Sequence, residues 1–157
     1  MQRKILIVDD SEVMRRILKN LLEKNQEWTV DAEAIDGRDA VEKAKKLRPD
    51  LTILDFSMPA MDGLELAGEL KRIDPQMPIV MLTAFKNESL NRKAYKAGVT
   101  WVLSKSEGID RVYDFARILL RPNSPPAQSA TQAEVLLPNP DRAFPRRRQP
   151  IFRTKEL

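Results

Sequence analysis

The sequence has 157 residues and neither cysteine nor histidine, so disulfides, thiolate or imidazole metal ligation, and Cys- or His-based catalysis are excluded. Its formal net charge of +4 is uneven: residues 1–121 carry 21 Lys and Arg against 20 Asp and Glu, whereas residues 122–157 carry 6 against 3. The high isoelectric point therefore comes mostly from the C-terminal stretch, and basicity is no argument that the body of the chain binds nucleic acid. The first strand is predicted at about Lys4 to Val8 and delivers Asp9 and Asp10 at its carboxyl end. Ser11 is placed to cap a helix in which Val13, Ile17 and Leu21 recur at helical spacing, with Met14, Leu18 and Leu22 beside them. A second strand, Trp28 to Ala34, turns at Asp36-Gly37 into a helix that carries Ala40, Val41, Ala44 and Leu47 and stops at Arg48-Pro49.

The apolar run Leu51 to Leu54 reads as a buried strand that ends abruptly in Asp55. A Pro-containing turn follows, and Asp62 stands as the N-cap of a helix from about Leu64 to Ile73. Pro75 and Pro78 bracket the turn into a fourth strand, Ile79 to Leu82, closed by Thr83. A helix from about Glu88 to Ala97 ends at Gly98, a fifth strand runs from Thr100 to Leu103 with Lys105 just beyond it, and a last helix spans about Ile109 to Leu120. Five strand-then-helix units with short links argue for an α/β fold whose parallel sheet is covered on both faces. Residues 122–157 hold seven of the eleven prolines, no glycine and the run Arg146-Arg147-Arg148, which reads as a disordered tail without an output domain.

A carboxylate at the end of a buried strand is costly unless a cation or hydrogen bonds compensate it. Compensation is available at the other strand ends, where Asp9, Asp10, Asp55, Thr83 and Lys105 could converge on one mouth. No Gly-rich phosphate loop or dinucleotide fingerprint follows the first strand; Asp-Asp-Ser-Glu stands there instead. Hard oxygen donors of this kind suit Mg²⁺, which takes few carboxylates and keeps waters and phosphate oxygens.

The acidic pair Asp9-Asp10, Asp55 followed by Met-Pro and Met-Asp-Gly, Thr83-Ala84 and Lys105 together resemble the receiver domain of two-component response regulators, over about Arg3 to Leu120. The resemblance implies a flavodoxin-like, doubly wound sheet in the order 2-1-3-4-5, with the domain at residues 1–121. It also implies that Asp55 is the phosphoacceptor and that Mg²⁺ is held by Asp9, Asp10, Asp55 and the backbone carbonyl of Ser57. Lys105 and Thr83 would contact phosphoryl oxygens, and Thr83 would move in doing so. The implied partners are a histidine kinase or phosphotransfer protein upstream and a protein target downstream, the latter reading the face of the fourth helix, fifth strand and fifth helix. Arg92, Lys93, Lys96 and Arg111 lie on or near that face with Trp101, which is read equally as an exposed apolar anchor or as a packed ring. Met58, Met61 and Met14 read most simply as core or rim packing; alternatively Met14, Arg15 and Ser11 would form part of a kinase-docking face, since the resemblance implies that this helix flanks the site.

Two positions depart from the family. Val102 stands where Tyr or Phe is usual, three residues before the lysine, and Ser106 stands where proline usually follows it. Trp101 does not replace the aromatic, because adjacent strand residues face opposite sides. A constitutive adaptor that no longer switches is therefore a competing reading, and weak nucleic-acid binding through the basic tail is another. A conventional enzyme is not expected beyond self-phosphorylation and self-dephosphorylation. The expected location is the cytoplasm, since the N-terminal apolar run covers only Ile5 to Val8.

Overall fold

The computed structural model describes residues 1–122; the proposed disordered tail lies outside the described residues. Five units follow one another: β1 (Arg3–Val8) and α1 (Glu12–Leu22), β2 (Trp28–Ala34) and α2 (Gly37–Leu47), β3 (Leu51–Asp55) and α3 (Gly63–Ile73), β4 (Ile79–Thr83) and α4 (Glu88–Lys96), β5 (Trp101–Ser104) and α5 (Asp110–Leu119). All strand pairs are parallel and the order is β2-β1-β3-β4-β5. This is the flavodoxin-like order implied by the resemblance. The chain reverses its winding between β1 and β3, so the carboxyl ends of these two strands, Asp9 and Asp55, border the crevice where such sheets take ligands.

The strands are apolar without alternation because both of their faces are covered. Ile5, Ile7, Ile53, Val80, Leu82 and Leu103 point to α1 and α5, where they meet Leu18, Leu22, Val112 and Phe115. Leu6, Val8, Leu54, Ile79, Met81 and Val102 point the other way, toward Ala40, Ala44, Leu66, Leu70 and Ala94 on α2, α3 and α4.

The α1 stripe differs from the expected one. Leu18, Leu21 and Leu22 are buried and Met14 packs on them, but Val13 and Ile17 are 67% and 44% exposed. Two apolar stripes lie one residue apart in this helix, about 100° around its axis, and only one can face the sheet. Met14, Leu18 and Leu22 take the sheet side, and of the other stripe only Leu21, at the C-terminal end, is buried with them.

Helix ends follow their caps. Ser11, Asp36, Asp62 and Asn87 each accept a backbone N–H with the side chain at an N-terminus. At the end of α4, Gly98 adopts φ +94°; its N–H donates to the Tyr95 carbonyl and the Val99 N–H to the Ala94 carbonyl, both at 3.0 Å. That paired closure needs the left-handed residue glycine supplies. Elsewhere the element bounds move by a residue or two. The shift that matters is in β5, which begins at Trp101 and extends to Ser104, beside Thr83 of β4.

Candidate functional site at the carboxyl edge of the sheet

Asp9 is 1% exposed at the end of β1. Its Oδ1 accepts the Ser11 N–H at 2.8 Å, which starts α1 and fixes the carboxylate at the same time. Its backbone carbonyl accepts Arg15 Nη1 at 2.8 Å, and the Arg15 Nε lies 3.4 Å from Glu33 at the end of β2. Arg15 therefore clamps the β1 terminus to its neighbouring strand. The sequence reading put Arg15 on a docking face and missed this inward role, because an arginine flanking an apolar stripe gives no sign of which way it turns.

Asp55, 4% exposed, closes β3 one strand away. Lys105 Nζ reaches across from the far side of the mouth to within 2.9 Å of Asp55 Oδ1 and 3.6 Å of Asp9 Oδ2. Asp10 is exposed at the rim. Carboxylate oxygens of Asp9, Asp10 and Asp55 all lie within 4.8 Å of one another. Asp9 Oδ2 is buried without a hydrogen bond, its nearest positive charge the Lys105 ammonium at 3.6 Å, which leaves the oxygen open to a closer cation. A carboxylate oxygen with no hydrogen bond, two further acids and an open rim fit a small hard divalent cation.

Burial pushes the Asp9 carboxyl above the usual carboxylate range, and the charges of Asp55 and Asp10 add to it against the pull of the Ser11 N–H and Lys105. For Lys105 burial acts downward, but the hydrogen bond and charge of Asp55, with Asp9 behind it, outweigh it and raise the ammonium. The ionised form of Asp9 is thus penalised in the metal-free fold. The penalty is absent well below the ordinary carboxylate pKa and sets in as pH rises through the folded value. Asp9→Asn keeps the acceptor for Ser11 and removes the charge. At pH 7 without Mg²⁺ it is expected to stabilise the domain, with the gain vanishing well below the ordinary carboxylate pKa. Thermal melts of both proteins across pH, without metal, check this.

Ser57 is exposed in the loop after Asp55. Two backbone devices shape that loop. The Gly63 N–H donates to the Phe56 carbonyl at 2.9 Å, and the Met61 N–H closes a γ-turn on the Pro59 carbonyl at 2.8 Å, with Ala60 at φ +69°. Thr83, 3% exposed, uses its hydroxyl on Phe85: it accepts the Phe85 N–H at 3.2 Å and donates to the Phe85 carbonyl at 3.3 Å.

Beyond β5 the chain enters a single 3-10 turn, Lys105–Glu107. The Ser104 hydroxyl caps it, accepting the Ser106 N–H at 3.3 Å, while the two serine hydroxyls lie 2.8 Å apart. These two hydroxyls hold the lysine turn at the place where the family usually has proline. Val102 is buried on the α4 side, whereas Trp101 is half-buried on the α5 side, its ring 4.7 Å from Phe115. Trp101 is therefore a packing residue rather than a free anchor, and it cannot reach the position of the missing aromatic.

A parallel 2-1-3-4-5 sheet whose carboxyl edge gathers three acids and a lysine defines the class as a flavodoxin-like domain with a cation-suited mouth. The chain belongs to the response regulator receiver domain family, whose model matches residues 5–117. Family membership assigns it to two-component signalling, a class of signal transducers whose receivers bind Mg²⁺ at an acidic pocket. It is 42% identical over 114 residues to the chemotaxis protein CheY of Bacillus subtilis, covering 73% of this chain and 94% of that one. It is 40% identical over 105 residues to CheY of Halobacterium salinarum, covering 67% and 86%. Among solved structures, Vibrio cholerae CheY4 superposes with a TM-score of 0.70 at 30% identity, over 76% of this chain and all 100% of that one. The CheY of a Borrelia burgdorferi CheX–CheY–BeF3–Mg²⁺ complex gives 0.67 at 27% identity, over 74% and 87%. Among the described residues, no helix is long and apolar enough to cross a membrane.

Proposed function

We propose that this chain is a phospho-accepting response regulator in which a histidine kinase or phosphotransfer protein phosphorylates Asp55 with Mg²⁺. The observation that carries the reading is the Lys105–Asp55 ion pair, 2.9 Å, beside two further acids whose oxygens lie within 4.8 Å. A buried carboxylate held next to an ammonium and a cation-suited cluster is poised to accept a phosphoryl group. The Borrelia relative, described as a complex with BeF3 and Mg²⁺, supports the same chemistry.

In this reading an Asp55 oxygen attacks phosphorus in line as the P–N bond of the donor phosphohistidine breaks. The bonding electrons stay with the imidazole, which takes up a proton. Asp9, Asp10, Asp55 and the Ser57 carbonyl would hold Mg²⁺, which when bound neutralises charge on the transferring group. Lys105 follows a phosphoryl oxygen as a point charge. Asp9 stays ionised while the cation is held, since a nearby positive charge reverses the effect of burial. Turnover is confined to self-phosphorylation and self-dephosphorylation. Output then runs through a protein target on the face of α4, β5 and α5, with the near-neutral domain not engaging nucleic acid, and the site of action is the cytoplasm.

Incubation with acetyl phosphate and Mg²⁺ is expected to add the mass of one phosphoryl group, read by intact mass spectrometry. Omission of Mg²⁺ or the Asp55→Asn change is expected to abolish the addition. Uptake that survives Asp55→Asn would overturn the assignment of the acceptor. One observation favours a second reading: Val102 is buried and small where the family's aromatic is usual, so a non-switching adaptor predicts partner binding indifferent to Asp55→Asn.

A further inference from the structure

The ammonium of Lys105 bridges two strand ends, and its backbone starts from a chain-specific device. Ser104, the last residue of β5, is extended at φ −80° and ψ 134°, and the chain then enters the 3-10 turn Lys105–Glu107. Ser104 is buried, and its hydroxyl accepts the Ser106 N–H at 3.3 Å while lying 2.8 Å from the Ser106 hydroxyl. This is N-cap chemistry: it gives a partner to an N–H at the start of a turn, where none is available from the turn itself. The far end is held more loosely. Glu107 has ion pairs at 3.9 Å to Lys86 and 3.6 Å to Arg111, between partly exposed side chains, contacts of small worth.

Lys105 is the first residue of that turn, so the direction in which its side chain leaves the backbone depends on how the turn begins. From there Nζ reaches Asp55 Oδ1 at 2.9 Å and Asp9 Oδ2 at 3.6 Å. A proline at position 106 would not reproduce this start. It has no N–H for the Ser104 hydroxyl, and its ring disfavours helical φ/ψ at the preceding residue, which is Lys105. We infer that Ser104 and Ser106 are positioning residues for Lys105: their N–H and hydroxyl contacts set the turn that aims the ammonium between Asp55 and Asp9. The proline usual at position 106 is therefore not interchangeable with serine in this chain. The effect on phosphoryl transfer rests on Asp55 being the phosphoacceptor; the hold on Lys105 does not.

The test uses the full chain and reads two things. One is the rate of phosphoryl uptake from acetyl phosphate with Mg²⁺, by intact mass. The other is the Lys105 ammonium resonance in nitrogen NMR, recorded without metal or donor and assigned by its loss in Lys105→Met. Ser104→Ala removes the acceptor and is expected to slow uptake about 5-fold, the equilibrium worth of a typical N-cap, and to shift the ammonium resonance. Ser104→Thr keeps the hydroxyl and is expected to restore both. Ser106→Pro, although it brings in the family's usual residue, is expected to slow uptake and shift the resonance as Ser104→Ala does. In a Lys105→Met background Ser104→Ala is expected to cause no further loss of rate, because the two changes act through one group. A loss of the same size in that background would reduce the serines to general structural residues and overturn the inference. An ammonium resonance and a rate unmoved by Ser104→Ala would overturn it as well. No uptake by the folded wild type would end the phosphoacceptor reading, and the serines' part in transfer with it, while the ammonium resonance would still report their hold on Lys105.

Discussion

Replacing Gly63 with alanine is expected to destabilise the domain by about 3 kcal/mol, roughly a 10 °C drop in melting temperature, and to remove Mg²⁺-dependent phosphoryl uptake. The reason is space. A Cβ at Gly63 would stand 2.8 Å from the Phe56 Cα, 2.9 Å from Leu54 Cδ1 and 3.0 Å from the Asp55 carbonyl oxygen. Two of these three neighbours are backbone, which cannot rotate away as a side chain can. The close approach also carries the hydrogen bond from the Gly63 N–H to the Phe56 carbonyl at 2.9 Å, which pins the loop holding Ser57. Relieving the clash must push the Asp55–Phe56 backbone, so stability and chemistry fail together. Gly68 provides the control within the same helix, since nothing lies within 4 Å of a Cβ built there. Gly68→Ala is expected to stabilise by about 0.5–1 kcal/mol through helix propensity alone, with phosphoryl uptake unchanged. Urea denaturation and intact-mass uptake on both variants separate the outcomes. A Gly63→Ala domain as stable and as reactive as the wild type would show that the α3 start does not set the site.

Much of this architecture is legible in the sequence because the features are local. Apolar runs that end in Asp9, Asp55 and Thr83 mark strand ends, and Ser11 and Asp62 mark helix starts by their capping chemistry, whereas Asp36, read only as a turn residue, also caps α2. The strand order is not local. Five apolar runs are compatible with several arrangements, and the order 2-1-3-4-5 came only from the family resemblance. The α1 stripe failed for a related reason: Val13 and Ile17 satisfy helical spacing as well as Met14 and Leu18 do, and only the packed sheet decides between them. Within the site, residue identity shows which groups are present but not how each is used. Asp9 and Asp10 are adjacent and chemically alike, yet one is buried and the other forms the rim. Arg15 on the Asp9 carbonyl and Gly63 against the Phe56 backbone are contacts made only in the folded chain, and spacing carries no trace of them. Val102 and Trp101 are the converse. Strand alternation by itself places them on opposite faces, and they pack against α4 and α5 respectively.

Lys105→Met is expected to slow phosphoryl uptake by about 100-fold and, without Mg²⁺, to destabilise the fold by about 2 kcal/mol. That figure lies below the roughly 3–5 kcal/mol of a fully buried pair, because the Lys105 side chain is 29% exposed and partly screened. Removing the ammonium leaves Asp55 and Asp9 as neighbouring buried carboxylates with no positive charge between them. Divalent cations should then bind more tightly than in the wild type, since they no longer compete with Lys105 for the same oxygens. Saturating Mg²⁺ is accordingly expected to raise the melting temperature of the variant by more than it raises that of the wild type. The rate defect persists under the same conditions, because stability regained from Mg²⁺ does not replace a charge that follows the phosphoryl group. The pH dependence has a definite sign. The folded Lys105 pKa lies above its ordinary value, so its contribution is fully present below about pH 10.4 and is lost as pH rises through the folded value. The stability gap between wild type and variant should therefore stay level from neutral to about pH 10 and narrow above it. A variant that recovers both stability and uptake rate in Mg²⁺ would reduce Lys105 to a structural counter-charge and leave the phosphoryl group without its ammonium.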